Sequence, residues 1–148
     1  MPEPTSGPRA VTMQQLRGLA HLRLREAEAL LQAGLYEGAA YICGYAVESA
    51  LKARICRLLG VNEYPQNPRF RAAYAVHDLD QLLYLSGLSS RMKQSSAAQL
   101  RNWMIALAWN PDRRYSARGS FSREEVEEML EAMGDRGDGV LKWVTKHW

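Results

Sequence analysis

YEGAAYICGYAVESALKARICRLL, residues 36–59, is the stretch whose reading decides the fold. At 100° per residue, Tyr41, Gly44, Tyr45, Glu48, Lys52, Ile55 and Leu59 share one broad face of a helix. Ile42, Cys43, Ala46, Val47, Ala50, Ala53 and Leu58 leave the other sides apolar as well. A helix that is apolar nearly all round belongs in the middle of a bundle or against a second subunit. Gly44, Ala46, Ala50 and Ala53 are small enough to let neighbouring helices come close. The segment therefore reads as an interior rod that carries one acid and one base, Glu48 and Lys52, into a helical assembly.

The flanking sequence supplies the rods around it. Residues 1–11 are rich in Pro, Gly and Ser and read as a disordered leader. Thr12, with Gln15 three residues on, forms a capping box that opens a helix over 12–33, with Leu16, Leu19, Leu22 or Arg23, Leu30 and Ala33 as its core stripe. Gly34 and Gly60 mark the ends of the first two helices. Residues 61–76 hold two prolines and read as a loop with room for one short helical turn. A third helix is expected over about 78–86 and a fourth from Ser89 or Ser90 to about Ala108, its apolar side being Met92, Ala97, Leu100, Trp103, Met104 and Leu107. After an irregular stretch at 109–121, Ser122 and Glu125 form a second capping box, with Phe121 placed to staple onto Val126. The last helix is expected to run on, continuous or mildly kinked, through Val140, Leu141 and Val144, because the apolar phase survives Gly134, Gly137 and Gly139; a break near Gly137 is the alternative. No segment alternates apolar and polar residues in the manner of a strand. The expected architecture is all-α, an up-and-down four- to five-helix bundle, with residues 12–148 as a single domain.

Composition narrows the setting. The chain has 148 residues, 47% hydrophobic and 24% charged, enough to bury a core. Cys43 and Cys56 lie on one helix roughly 20 Å apart, beyond disulfide reach. With no secretory h-region and no run of apolar residues long enough to span a bilayer, a cytoplasmic protein is expected, without membrane contact. The net charge is +3, but residues 51–123 hold twelve Lys or Arg against four Asp or Glu, while the acids cluster around Glu124–Glu131. A basic middle suits an anionic ligand such as a nucleotide or RNA; two faces of opposite sign could equally pair with each other or with a second copy.

Three groups of residues could carry chemistry. Glu48 and Lys52 stand four apart in the middle of the apolar rod, and a buried carboxylate needs a partner. A loop cation, Arg114 or His77, would supply one and lock the bundle. His77, followed by Asp78, offers a general acid or base near neutral pH, or a helix cap. Arg113, Arg114 and Arg118 around Tyr115 form the mixture that grips phosphate and stacks on a base, or else Arg114 turns inward to Glu48 with Tyr115 packed beneath the loop. No phosphate-binding glycine loop and no Cys/His spacing suited to zinc is present, so no cofactor and no metal are expected.

The run Ala27-Glu28-Ala29-Leu30-Leu31, Gly34, Tyr36, Ala39, Tyr41, continuing into Gly44-Tyr45-Ala46-Val47-Glu48-Ser49-Ala50-Leu51-Lys52-Ala53, resembles the HEPN domain family. His77-Asp78-Leu79 with Leu82-Leu83, and Arg114-Tyr115-Ser116, match two further stretches of that family, so the resemblance covers roughly residues 12–146. It implies a helical bundle that forms a two-fold dimer, binds a nucleotide or RNA, and works with a minimal nucleotidyltransferase or in a toxin–antitoxin or defence pair. Members that cut RNA carry Arg, a polar residue, a few variable positions, then His. Arg71 and His77 have that spacing here, but Ala72 stands at the polar position, and Pro65 and Pro68 place Arg71 near a loop.

Three expectations follow. The first is a non-catalytic HEPN-like homodimer that binds nucleotide, RNA or a nucleotidyltransferase partner around Glu48, Lys52, His77, Arg113, Arg114 and Tyr115. The second is a metal-independent ribonuclease toxin in which Arg71 and His77 from two subunits meet at a composite site. The third is a purely structural interaction protein whose polar cluster only fixes the bundle.

Overall fold

A computed structural model of the protein describes residues 10–148. Its order is α1 Met13–Gln32, α2 Tyr36–Leu59, α3 Arg71–Tyr74, α4 Leu79–Leu85, α5 Ser89–Lys93, α6 Ala97–Leu107, a 3-10 turn at Pro111–Tyr115, α7 Arg123–Gly134 and α8 Val140–Thr145. The fold is an all-α bundle; among the described residues the nearest thing to a strand is one antiparallel bridge between Thr12 and Glu63. No helix among them is long and apolar enough to cross a membrane.

The rod at 36–59 is the axis of the bundle. Helix α2 packs against α1, α4, α7, α8 and the 3-10 turn. Val47, Leu51 and Ile55 are sealed from solvent, and each stabilises the fold by about 1.5–3 kcal/mol relative to an exposed side chain. Gly60 closes α2 with φ +67°, a left-handed conformation that a Cβ would strain. Both expected capping boxes are formed: Thr12 Oγ1 accepts the Gln15 N–H at 3.1 Å and Gln15 Oε1 the Thr12 N–H at 2.9 Å, and Ser122 and Glu125 exchange the same pair of bonds.

Several expectations need correction. The buried stripe of α1 is Leu16, Ala20, Ala27 and Leu31. Leu22 and Ala33 lie exposed instead, and Leu19 only half-buried, because α2 sits about one residue further round α1 than the leucine count suggested. Of the leader, residues 1–9 lie outside the described residues. Val11 does not fit a disordered segment, since its carbonyl accepts the Tyr64 N–H at 2.8 Å while the Met13 N–H donates to Asn62 at 2.7 Å. The fourth helix is two pieces. Ser95 Oγ bonds back to the Arg91 carbonyl, and Ser96 turns out of the helix so that its hydroxyl caps α6 through the Gln99 N–H; serine side chains compete with the helical backbone in this way. Met104, placed on the buried side, faces solvent. The last helix is also broken, as in the alternative near Gly137: the Asp135 carboxylate takes the Gly137 and Asp138 N–H groups at 3.0 and 2.9 Å, ending α7 before α8 can continue it.

Candidate functional site: a buried carboxylate that holds a surface histidine

Near the midpoint of α2, Glu48 points off the rod with its side chain 7% exposed. The chain entering α4 brings His77 over it, and Nδ1 of the imidazole lies 2.5 Å from Glu48 Oε1. Lys52, one turn along, stands 3.7 Å from the other carboxylate oxygen. The Lys52 ammonium also lies 5.2 Å from the ring centre of Tyr64, whose hydroxyl donates to the Tyr74 carbonyl at 2.7 Å. One buried acid is thus met by an ammonium and by an imidazole N–H, the kind of partnering that burial of a carboxylate demands. Because Glu48 accepts from Nδ1–H, Nε2 is left as the working nitrogen of the ring. The His77 side chain is 53% exposed, so that nitrogen is accessible from outside.

Aromatic residues frame this pair. Tyr45 sits one turn before Glu48 and meets the His77, Tyr41 and Trp109 rings edge to face at 6.1, 5.4 and 4.9 Å. The Tyr41 and Tyr45 hydroxyls are 3.3 Å apart. Burial, then the hydrogen bond with Tyr41, pushes the Tyr45 phenol well above its usual range, so it stays protonated. Trp109 donates its indole N–H to the Tyr41 carbonyl at 2.8 Å and lies flat against α2 at Gly44. A Cβ on Gly44 would come within 2.0 Å of the ring, so only glycine permits the approach. Between the start of α4 and the 3-10 turn opens a cleft of about 490 Å³, lined by His77, Leu79, Leu107, Trp109, Asn110 and Pro111, with Asp78 and Asp80 on its rim.

The 3-10 turn sends its two arginines in opposite directions. Arg114 stays outside, its guanidinium 4.6 Å from the Tyr115 ring centre and near enough to Tyr41 and Tyr45 to act on them electrostatically. Tyr115 is 74% exposed, so the expected packing beneath the loop is wrong, and Glu48 is met by His77 rather than by Arg114. Arg113 turns inward, donating to the Ala40 and Ala108 carbonyls at 3.2 and 3.3 Å and covering Phe121. Burial lowers its pKa. It braces the turn and does not join the cluster in which the sequence placed it. Arg71, on the short α3, is exposed, and its side chain makes no hydrogen bond or ion pair among the described residues.

The structure therefore brings together Glu48, Lys52, His77 and, across the tyrosine pair, Arg114 with Tyr115; Arg113 and Arg71 stand apart. Trp109 is the residue that sequence reasoning left out of the site. Its only signal was Gly44 in the middle of an otherwise unbroken helix, a gap that asks for something large to fill it.

An all-α bundle built on a central rod that presents a carboxylate-held histidine is the class that fold and site define. The HEPN domain family matches residues 13–146, and the chain belongs to that family. Comparison with curated proteins and with solved structures returns no match.

Proposed function

We propose that residues 12–148 form one HEPN module that binds a nucleotide or RNA at the surface running from His77 to Tyr115, as a homodimer working with a nucleotidyltransferase-type partner or in a toxin–antitoxin pair. The observation that carries this reading is the strip His77–Tyr45–Tyr41–Arg114–Tyr115, where an accessible imidazole and a guanidinium flank the half-buried Tyr45 and Tyr41 and the strip ends on the exposed Tyr115 ring. Guanidinium groups suit phosphate, and an aromatic face accepts any base. Asp78 and Asp80 on the cleft rim repel phosphate there. The backbone of a bound strand then runs on the Arg114 side and a base enters beside Trp109. Membership in the HEPN family supports a nucleotide- or RNA-related module.

A second reading, a metal-independent ribonuclease, draws on one feature. A histidine whose Nδ1 is held by a buried carboxylate has the orientation of a general base that takes a proton at Nε2. In that reading Arg71 approaches His77 from a second subunit and stabilises charge on the phosphate.

One experiment separates them. Fluorescence anisotropy with labelled single-stranded RNA and with ATP, for wild type, Arg114→Ala, His77→Ala and Arg71→Ala, is followed by gel analysis of the same RNA. Binding weakened by about tenfold in Arg114→Ala, at unchanged melting temperature, supports the first reading. Cleavage abolished by His77→Ala and by Arg71→Ala supports the second. Unchanged binding in every variant, without cleavage, sinks both and leaves a structural role for the cluster.

A further inference from the structure

On the far side of α2 from Lys52, about 200° round the helix, cations gather that no acid pairs with among the described residues. Arg54 donates its Nε–H to the Ser86 carbonyl at 3.2 Å and an Nη1–H to the His147 carbonyl at 2.9 Å, tying α2 to the ends of α4 and α8. Arg91 of α5 lies over the same spot and donates from Nη1 to the His147 imidazole Nδ1 at 2.9 Å. The imidazole accepts at Nδ1, so its own proton sits on Nε2. Arg57 and Lys146 stand close enough to add their charge. The ion pairs of the described residues, Arg23–Glu26, Lys52–Glu48, His77–Glu48 and Arg123–Glu127, all lie elsewhere. The carbonyl ends of α4 and α8 offset part of the Arg54 charge. They do nothing for Arg57, Arg91 and Lys146, which are exposed and make no ion pair among the described residues.

We propose that Arg54, Arg91 and His147, with Arg57 and Lys146 at the rim, form an oxyanion site for a phosphate group, separate from the His77 strip. The fold supplies the rigidity such a site requires. Arg54 is fixed by two carbonyls, and the segment carrying His147 is pinned where Trp148 donates its indole N–H to the Ala50 carbonyl at 3.2 Å, under Arg17 and against His21. Arg54, with its Nε–H and an Nη1–H given to carbonyls, adds a fixed charge, and the fork of the exposed Arg91 is the one that matches the tetrahedral oxygens of phosphate. Burial first, then Arg91, Arg54 and Lys146, holds the His147 pKa below its ordinary value. The groups facing this ring are Arg54 from α2, Arg91 from α5, and Trp143 and Lys146 from its own segment. A bound dianion favours the imidazolium; the new Nδ1–H gives up the bond from Arg91, the Arg91 guanidinium turns to the anion, and binding takes up a proton and tightens as pH falls.

The test uses the full chain and sodium sulfate, a dianion that does not itself titrate near neutrality, against sodium chloride at matched ionic strength. The imidazole resonances of His147, His21 and His77 are followed by NMR across pH. Saturable sulfate binding that raises the His147 titration midpoint by roughly half a pH unit, with His21 and His77 unmoved, is the expected result. Arg91→Gln and Lys146→Gln, both at exposed positions, weaken sulfate about tenfold at unchanged melting temperature in chloride. Equal response of all three histidines, or unchanged affinity in both variants, overturns the proposal. Displacement of sulfate by ATP or by an RNA oligomer then identifies which phosphate the site takes, and displacement by inorganic phosphate alone identifies a free anion. His77→Ala leaves all these responses in place, so failure here is distinguishable from failure of the RNA-binding strip.

Discussion

Replacing Gly44 with alanine tests whether the Trp109 contact organises the site. In an unobstructed helix the change stabilises by about 0.8–1 kcal/mol, because alanine loses less backbone entropy. At Gly44 the new Cβ would lie 2.0 Å from Trp109 Cδ2 and 2.2 Å from Cγ and Cε2. Carbon atoms rest at about 3.5–4.0 Å, so the indole must retreat by roughly 1.5 Å. That retreat stretches the 2.8 Å bond from the indole N–H to the Tyr41 carbonyl, which contributes about 0.5–1.5 kcal/mol. Overpacking adds about 1–3 kcal/mol, and the ring, now only 3% exposed, begins to meet water. After subtracting the helix gain, Gly44→Ala destabilises by about 1–3 kcal/mol. Gly18, in the interior of α1 with nothing within 4 Å of its Cβ position, is the control, where the same substitution stabilises. Urea unfolding followed by far-UV circular dichroism gives both values. Trp109→Ala in the Gly44→Ala background removes the clash, so the two costs fall short of additive. Stabilisation of Gly44→Ala equal to that of Gly18→Ala would refute the packing argument.

The remaining predictions concern buried ionisable groups. Glu48→Ala leaves Lys52 half-buried without its carboxylate and frees His77; a loss of about 2–3 kcal/mol is expected, with Glu48→Gln losing less because it keeps an acceptor for Nδ1–H. Equal urea midpoints for wild type and Glu48→Ala would show the pair to be ornamental. Burial pushes the Cys43 thiol from 9.0 up to about 11, and Cys56, Tyr45 and Tyr64 are raised as well, by burial first. Folded pKa values above unfolded ones mean stability that is whole below about pH 9 and is lost as pH rises through the folded values, up to roughly 3 kcal/mol from Cys43 alone. Stability measured by urea unfolding should fall between pH 8 and 10.5, less steeply in Cys43→Ala; a flat profile contradicts the burial. Thiol labelling at pH 8 should likewise wait for unfolding.

The bundle was readable because its signals are local. The all-round apolar character of 36–59 forces burial on every side whatever the neighbours are, and the Thr12–Gln15 and Ser122–Glu125 boxes close within four residues. The two helix breaks were harder, although their causes are also local. A serine at 96 or an aspartate at 135 either continues a helix or caps it, and the difference is the energy of one or two hydrogen bonds weighed against the packing of the next segment. The site divides the same way. Glu48 and Lys52 one turn apart on the rod announced a buried acid in need of a partner. The partner was chosen by tertiary structure, since His77 and Arg114 come from loops whose paths depend on what they pack against. Arg113 and Arg114 are adjacent in sequence, yet one turns in to the carbonyls of Ala40 and Ala108 and the other remains outside on Tyr115. The gathering of Arg54, Arg91 and His147 left no trace in spacing, being assembled from segments 37 and 56 positions apart. Charge repulsion alone would scatter such residues; only the docking of helix ends against the central rod holds them in one place.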